Sequence, residues 1–281
     1  MSQFEASKRK FPFNRWRVRR CRRSTLRVLE ESKTMAGANS AQRKQALEVA
    51  FWETDPLERP DSDSVENIVN KMGDARVFLE KLREFKEDFA HARDILELGA
   101  GQGWTSVIVK RMHPQARVVA TDVAAAAVRS LYKWEHIFRT TIETRACPSN
   151  KVPFPDGSFD LIFTFAAAHH FHQHRSTLAE ISRLLRPGGA AFYLHEPGCR
   201  RYIYSLAYRR VDAKRPNIED VLVYRHIARM ASDFGLTCDC LLDPTLTDRG
   251  PLETVYYFIL SRLRFLGNIL PCTVNLVFRK K

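Results

Sequence analysis

The feature that most constrains this chain is a glycine-rich loop between a short apolar run and an amphipathic segment. The stretch ELGAGQG, from Glu97 to Gly103, follows the apolar run DILEL and precedes WTSVIVKRM. A strand, a tight glycine turn and a helix in this order are typical of the first unit of a parallel α/β sheet, where the loop lets the backbone approach a ligand closely. The sequence therefore predicts a ligand site at this loop.

The rest of the chain continues the alternation of strands and helices. Further helices are predicted in AAAAVRSLYKW, STLAEISRLL (with capping-box spacing between Thr177 and Glu180) and IEDVLVYRHIARMASDFG, which Gly235 should end. Further strands are predicted in ARVVATD, IETRA, FDLIFTF, AAFYLHEP, LTCDCLL and TVNLVFRK, with a turn at RPGG. This pattern predicts a doubly wound, Rossmann-like α/β fold: a mostly parallel seven-stranded sheet with an antiparallel final strand.

We divide the chain into an arm and one domain. Residues 1–40 form a basic arm, and residues 41–281 form the domain, with a helical cover at 41–93, a ligand-binding core at 94–197 and substrate-side helices and last strands at 198–281. The cover is helical because four apolar residues recur on one face. They are Phe78, Leu82, Phe85 and Phe89.

Basic charge is concentrated near the N-terminus. The chain carries a net charge of +13, of which residues 1–34 hold +8, from eleven basic and three acidic residues. The stretch KRKFPFNRWRVRRCRR is compatible with a nucleic-acid arm, an organelle-targeting peptide or an interfacial anchor, but charge runs are more commonly disordered tails, and Met35 is an alternative start. Because the body is only mildly basic, we expect a disordered arm and no nucleic-acid partner.

Composition narrows the remaining classes. Apolar residues make up 44% of the 281 residues, enough for a sizeable core. The sequence has no apolar run of 18 residues, so no membrane-spanning helix is predicted. No apolar segment follows the basic N-terminus, so no secretory signal is predicted either. The six cysteines are scattered without zinc-ribbon spacing, which favours reduced thiols. We expect a cytoplasmic protein, with organelle targeting through the arm as the alternative.

Two common ligands of glycine loops are excluded here. A phosphate-binding loop ends in Gly-Lys-Ser/Thr, whereas Gly103 is followed by Trp104 and Thr105. A dinucleotide fingerprint needs a glycine three residues after Gly101, where Trp104 stands. Glu97 adds a negative charge at the end of the strand, which would repel a pyrophosphate.

The same residues suit S-adenosylmethionine, which carries a sulfonium and an ammonium and no phosphate. Glu97 supplies a negative charge opposite to the cationic groups of the cofactor, and the glycines leave the backbone accessible to it. Asp122 ends the second predicted strand, 19 residues after Gly103. A carboxylate at that place can accept hydrogen bonds from both ribose hydroxyls. The sequence therefore predicts this cofactor, with S-adenosylhomocysteine as the product.

Four stretches carry a family resemblance. They are ILELGAGQG (95–103), VVATDV (118–123), VPFPDGSFDLIF (152–163) and LLRPGGAAFYL (184–194). Through them residues 92–197 resemble the class I S-adenosylmethionine-dependent methyltransferases, especially the broad small-molecule group that includes the ubiquinone/menaquinone-biosynthesis enzymes.

The resemblance implies a set of cofactor contacts. Asp122 would hold the ribose and Val123 would flank the adenine. The acidic residue that the family often carries near the adenine amino group is replaced here by CPSN, so Asn150 or backbone is assigned to that end, and Phe165 completes the set. The loop residues implied are Glu97, Gly99, Ala100, Gly101 and Gly103.

Histidines cluster after the FDLIFTF strand. In AHHFHQH a metal site lacks fixed ligand spacing on one face and a nearby carboxylate, so no metal is predicted. The family often has a His-His pair here, so His169 and His170 are candidate bases beside the methyl acceptor; alternatively, they orient the loop by bonding to backbone. His195 and Glu196 are second candidates, although Glu196 is equally compatible with a solvent-facing turn.

A late insertion, ETVYYFILSRLRFLGNIL (253–270), is apolar nearly all round except at Arg262 and Arg264. The first interpretation is a helix packed on the core. The alternatives are a lid over a hydrophobic substrate, faced by Phe51 and Trp52, or a helix touching a membrane surface.

Taken together, the sequence predicts methyl transfer to a small-molecule oxygen, carbon or nitrogen, with a hydrophobic acceptor and peripheral membrane contact both compatible. Because the sulfonium already activates the methyl group, alignment and water exclusion are the main demands, and no single catalytic residue is required. The alternatives are an RNA or protein methyltransferase that uses the basic arm and a non-catalytic cofactor-binding protein. A nicotinamide oxidoreductase is disfavoured by Glu97 and Trp104.

Overall fold

A computed structural model describes residues 64–212, 220–247 and 249–281, together with the isolated positions Ala46, Val49, Ala50, Arg59 and Ser62. The predictions made for the basic arm, for Met35 as a start, and for Phe51 and Trp52 lie outside the described residues.

Eight strands form one sheet. The order across it is β3-β2-β1-β4-β5-β8-β7, and the two-residue β6 pairs with the end of β5. Strands β1 to β6 pair in parallel, whereas β8 is antiparallel to both β5 and β7. The predicted fold class is therefore confirmed. The strands are β1 (Asp94–Leu98), β2 (Arg117–Asp122), β3 (Glu143–Ala146), β4 (Phe159–Phe165), β5 (Leu185–Cys199), β6 (Leu222–Val223), β7 (Leu236–Leu242) and β8 (Cys272–Lys280).

Helices lie between the strands and on both faces. Short 3₁₀ turns also occur at Ala168–His170 and Arg201–Ile203. Within the described ranges, no helix is long and apolar enough to cross a bilayer. The helices are α1 (Val65–Glu84), α2 (Lys86–His91), α3 (Trp104–Met112), α4 (Ala125–Ser130), α5 (Tyr132–Phe138), α6 (His174–Leu184), α7 (Tyr204–Asp212), α8 (Tyr224–Ser232), α9 (Pro251–Arg262) and α10 (Arg264–Gly267).

The core lies on both faces of the sheet, because alternate residues of each strand point to opposite sides. In β1, Leu96 packs on the face covered by α6 and α8, and Ile95 on the face covered by α1 and α3. The predicted apolar stripe of the N-terminal cover is buried on this second face, although the helix breaks at Phe85. Its residues are Phe78, Leu82, Phe85 and Phe89.

Helix α1 crosses the carboxyl edge of the sheet, where ligands bind in this kind of fold. Near its start, Asn67 accepts a hydrogen bond from Gln102 of the glycine loop at 3.2 Å. Near its end, Glu80 accepts bonds from Thr245 and Thr247, which follow β7. The helix therefore covers the region between the loop after β1 and the loop after β7.

Three local predictions are wrong. The capping box fails because α6 begins at His174, so Thr177 lies buried inside it. The helix predicted over 218–235 is shorter, since β6 precedes α8, although Gly235 follows in the left-handed conformation (φ 72°). The RPGG stretch is an irregularity inside β5, where the register with β4 shifts, rather than a separate turn.

Candidate functional site

A cleft opens at the carboxyl ends of β1, β2 and β4. Its walls come from the glycine loop, the end of β2, the segment after β3 and the 3₁₀ turn after β4. Among the described residues that line it there is no lysine or arginine, which matches a ligand without phosphate. They are Gly99, Asp122, Val123, Cys147, Pro148, Ser149, Asn150, Ala167, His170, Phe171, His172, Gln173 and Thr177.

The glycine loop is shaped by left-handed residues. Gly99, Gly101 and Gly103 have φ of 68°, 52° and 74°, a region that side chains rarely adopt. A Cβ on Gly103 would lie 2.0 Å from a methyl of Leu131, so a side chain there is excluded by packing as well. Gly99 is the loop residue on the cleft wall, while Ala100 is buried against α3.

Asp122 connects the end of β2 to this loop. Its carboxylate accepts hydrogen bonds at 2.8 Å from the backbone N–H groups of Gly101 and Ala124. Burial raises the pKa of Asp122, while these backbone donors act to lower it. Each oxygen keeps a further lone pair, so the carboxylate can still accept bonds from a ligand hydroxyl. The side chain thus shapes the loop and lines the cleft.

Glu97 lies beneath the loop, not on the cleft wall. It is 1% exposed and accepts hydrogen bonds from the hydroxyls of Thr105, at 2.5 Å, and Ser106. Burial raises its pKa to about 7, against the lowering effect of the two hydroxyls and with a further raising effect from Asp122. Glu97 therefore binds the first turn of α3 beneath the glycine loop, which agrees with a role in shaping that loop.

The three residues predicted near the adenine lie in two different places, the cleft wall and the core. Val123 and Asn150 both line the cleft, and the Asn150 amide donates to Gln173 at 2.9 Å. Phe165 does not line it. Its ring is 8% exposed and packs in the core against Trp104 and Phe78, so its assignment as a cofactor contact stays a prediction.

The 3₁₀ turn with His169 and His170 is held from below by Glu196. This carboxylate is fully buried and accepts hydrogen bonds from the backbone N–H groups of Ala167, Ala168 and His169 at 2.8–3.1 Å. It also pairs with His169 Nδ1 at 2.8 Å. The alternative of a solvent-facing turn at Glu196 is therefore wrong. His169 is engaged under the turn, whereas His170 reaches the cleft wall.

Two other titratable groups are uncharged at neutral pH: Cys147 on the cleft wall and His174, which follows the cleft residue Gln173 at the start of α6. Burial lowers the pKa of His174 to about 4. Burial, followed by the charges of Asp122 and Glu180, raises the pKa of the Cys147 thiol to about 11. Neither group is therefore suited to removing a proton or attacking as an anion near pH 7.

A second polar group lies at the same edge, beyond the end of β5. His195 has a left-handed backbone (φ 59°) at an irregularity in the β5–β8 pairing, and its N–H donates to Asn275 at 2.9 Å. Bulges of this kind re-aim side chains beside active sites. The His195 Nδ1 lies 3.5 Å from the carboxylate of Asp243, whose other oxygen pairs with Lys81 at 2.9 Å.

Lys81 and His195 keep the Asp243 carboxylate ionised. Lys81 and Asp243 are 5% and 7% exposed in their side chains. Burial acts to raise the pKa of Asp243, but the His195 contact and Lys81 outweigh it and hold this pKa below its usual value. Asp243 is therefore ionised at neutral pH and can orient the His195 ring through Nδ1–H.

Sequence reasoning missed several of these residues. Lys81 and Asp243 were not singled out, although Asp243 directly follows a strand at the ligand edge, a place that favours function. Gln173 and Phe171 were also missed, because residues next to a histidine cluster carry no distinct signal of their own.

The cleft residues fit S-adenosylmethionine. Glycine φ angles and the Gly103–Leu131 contact leave no room for side chains in the loop, so backbone can approach the methionine part of the cofactor. Asp122 supplies the acceptor for ribose hydroxyls. The absence of lysine and arginine from the lining matches a ligand that is cationic and carries no phosphate.

Comparison with known proteins gives the same result. The family model described as "Methyltransferase domain" matches residues 96–193. The malonyl-[acyl-carrier protein] O-methyltransferase of Hahella chejuensis is 27% identical over 148 residues, which cover 53% of this chain and 52% of that protein. The demethylmenaquinone methyltransferase of Thermus thermophilus is 28% identical over 115 residues, which cover 41% and 52%. The chain thus spans about half the length of these two relatives.

A solved structure extends the similarity to most of the fold. The geranyl diphosphate C-methyltransferase of Streptomyces coelicolor, in complex with Mg²⁺, geranyl diphosphate and S-adenosyl-L-homocysteine, superposes with a TM-score of 0.65. The match covers 88% of this chain and 100% of that one, at 15% sequence identity, and so concerns the fold. The family match over residues 96–193, the fold and the lining of the cleft together support an S-adenosylmethionine-dependent methyltransferase domain with S-adenosylmethionine as its cofactor.

Proposed function

We propose that the domain transfers the sulfonium methyl group to a small, largely apolar acceptor that gives up a proton from oxygen or carbon. The observation that carries this proposal is the presence of two neighbouring sites at one sheet edge. One is the cleft without cations, and the other is His195 held by Asp243. The relatives, by name an O-methyltransferase of malonyl-[acyl-carrier protein] and a methyltransferase of demethylmenaquinone, support an acceptor outside nucleic acid.

The acceptor region is expected between the ends of β4 and β5, under α1. Aromatic rings line up there: Phe165 stacks on His195 with 5.7 Å between ring centroids and meets Trp104 edge-on at 5.7 Å. Such a wall favours an apolar acceptor and excludes water. Holding the nucleophile in line with the methyl–sulfur bond supplies much of the rate enhancement in a reaction of this kind.

In this proposal, His195 is the general base. The Asp243 carboxylate lies 3.5 Å from His195 Nδ1, at ion-pair rather than hydrogen-bond distance, and favours a proton on Nδ1. The lone pair on Nε2 is then available, and within the described residues no hydrogen bond occupies it. The acceptor proton passes to Nε2 while the nucleophile's electron pair bonds the methyl carbon. The carbon–sulfur pair returns to sulfur, which leaves as neutral S-adenosylhomocysteine. Asp243 stabilises the imidazolium until the proton returns to water.

The test measures cofactor binding and turnover separately. S-adenosylhomocysteine affinity is measured by calorimetry, and turnover by product mass with a hydroquinone, a phenol and a medium-chain fatty acid as acceptors. We expect His195→Gln to lower kcat by about 100-fold or more, in the range of lost general-base catalysis. Its cofactor affinity should stay within twofold of the wild type. His136→Gln, an exposed histidine on α5, is the matched control and should leave both unchanged.

Two results would count against the proposal in different ways. Tight cofactor binding without a methylated product from any acceptor would point to a non-catalytic binding protein. Full turnover by His195→Gln would leave the methyltransferase standing but remove His195 as its base.

A further inference from the structure

The outer face of α9 is apolar and turned to solvent. Leu252, Val255 and Ile259 recur at helical spacing on this side, with exposures of 87%, 60% and 44%. In α9 only Leu260 is buried. Helices of globular proteins normally turn their apolar stripe to the core. The helix predicted in the 253–270 insertion therefore packs on the domain through one face, where Leu260 is buried, and leaves a second apolar face exposed.

The inner face of α9 is fixed to the sheet edge by polar contacts. The Tyr256 hydroxyl donates to the Pro271 carbonyl at 2.6 Å, and the Tyr257 hydroxyl accepts from the Thr273 N–H at 3.1 Å. The Arg249 guanidinium lies over the Tyr257 ring at 3.3 Å. Because these contacts hold the helix in its orientation, the apolar face cannot rotate inward without breaking them.

The apolar surface continues into neighbouring segments. Phe265 and Ile269 are exposed after α9, and the Tyr202 hydroxyl donates to the Ile269 carbonyl at 2.7 Å. This bond joins the insertion to the start of α7, where Tyr202 and Leu206 are also exposed. We call this continuous region the α9–α10 surface. Contiguous exposed apolar regions of this kind mark interaction sites.

The same surface is positively charged. Arg262 and Arg264 are exposed on it, and Arg201 and Arg209 are exposed on the adjoining segment. Glu253 is the only acidic residue within residues 199–209 and 250–271. Apolar side chains flanked by arginines are the composition of segments that lie in the plane of a membrane interface, because long basic side chains reach the headgroups while their stems stay apolar.

We propose that the α9–α10 surface docks on an anionic lipid bilayer. Its apolar side chains would enter the headgroup–acyl boundary, and its arginines would pair with lipid phosphates. Charge decides between possible occupants. A second copy in a two-fold contact would bring arginines against arginines. Residues 1–34 carry +8, the same sign as the surface. A negatively charged lipid surface is complementary to it.

This docking would place the carboxyl edge of the sheet near the bilayer. Helix α9 is anchored at Thr273, the second residue of β8, and β8 pairs with the end of β5 beside His195. An apolar molecule dissolved in the bilayer could then reach the proposed acceptor region without crossing water. The docking itself does not depend on the identity of the acceptor, nor on methyl transfer.

The test uses the full chain and vesicles of two compositions. One is pure phosphatidylcholine, and the other contains about one third phosphatidylglycerol. We expect co-sedimentation at least about tenfold stronger with the anionic vesicles. Arg262→Glu/Arg264→Glu should lower the affinity for anionic vesicles by about tenfold or more, since each basic residue near an anionic lipid surface contributes a substantial part of the binding free energy. Phe258 of α9 is also exposed on this surface, by 48%. Phe258→Gln/Phe265→Gln should therefore lower the affinity as well and weaken the binding that remains at high salt.

Matched variants make the outcome decisive. Arg83→Glu/Arg111→Glu changes two arginines exposed elsewhere, and Ile137→Gln changes an exposed apolar residue on α5. Both should bind vesicles close to the wild-type level, and all variants should keep the wild-type thermal midpoint. No vesicle binding by the wild type would overturn the proposal. An equal loss in the control variants, a loss only on removal of residues 1–34, or a dimer that Phe258→Gln/Phe265→Gln dissociates would do the same.

Discussion

At the scale of single residues, Glu97 makes stability depend on pH. Burial raises its pKa to about 7 from the ordinary value of 4.5, so between these two pH values the folded state holds a proton that the unfolded state has lost. The contribution of this group to the free energy of unfolding is therefore fully present below about pH 4.5. It falls as pH rises, and it is lost above about pH 7. At about 1.4 kcal/mol per pH unit, the change amounts to roughly 3 kcal/mol.

The variant Glu97→Gln isolates this effect, because glutamine is uncharged in both states. Its carbonyl oxygen accepts from one of the hydroxyls of Thr105 and Ser106, and its NH2 group donates to the other, since a hydroxyl can also accept. Between pH 5 and pH 8, the wild type should lose roughly 3 kcal/mol of unfolding free energy relative to Glu97→Gln. Urea denaturation at several pH values measures both curves. Parallel curves would mean that Glu97 is ionised in the folded protein at pH 5.

At the scale of elements, Glu196 ties the turn after β4 to the end of β5. Glu196→Gln leaves one carbonyl oxygen for three backbone donors and puts an amide group where an acceptor is required. We expect a loss of about 2–3 kcal/mol in unfolding free energy, the range for buried groups left unpaired. Cofactor affinity should fall too, because Ala167 and His170 line the cleft.

The matched control for this change is Glu143→Gln on β3. Its carboxylate pairs with Arg117 and Arg145 but is partly exposed, so its removal should cost less than about 1 kcal/mol. Urea denaturation and calorimetry with S-adenosylhomocysteine compare the two variants. If both lose the same stability and the same affinity, Glu196 does not hold the turn.

Elements whose signals are local could be predicted from the sequence. The period of apolar residues and the flanking turn residues define β1, β2, β4, β7 and β8 within one residue. The segment before α8 was mispredicted because Leu222 and Val223 pair with the end of β5, which is a tertiary effect. The burial of Phe165 could also have been predicted, because it follows Phe163 by two residues and so shares its face in the core.

In the candidate site, too, the residues with local sequence signals could be predicted, whereas those positioned by tertiary contacts could not. The glycine loop and Asp122 could be predicted because each ends a recognisable strand at the ligand edge. The contact of His195 with Asp243 could not, since the two residues lie far apart in the chain. In addition, the left-handed backbone that aims His195 depends on the pairing of β5 with β8 and on Asn275.

At the scale of the whole molecule, the net charge of +13 is divided between residues 1–34 and the remainder, which carries +5. Within the described residues, every cleft-lining residue comes from positions 99–177, and the buried clusters begin at Val77. A protein starting at Met35 should therefore keep its S-adenosylhomocysteine affinity within twofold and its thermal midpoint within about 2 °C, since far less than 1 kcal/mol of folding energy is at stake.

Binding of this shortened protein to anionic vesicles should weaken but persist. The lost charges act at a distance and are screened within about 10 Å at 0.1 M salt, whereas the α9–α10 surface makes the apolar contact. At low salt the full chain should bind more tightly than the shortened one, and the difference should shrink as salt rises, because only the electrostatic part is removed. Co-sedimentation at 50 and 300 mM salt measures this. A difference that stays constant with salt, or a thermal midpoint several degrees lower, would show that residues 1–34 contribute packing as well as charge.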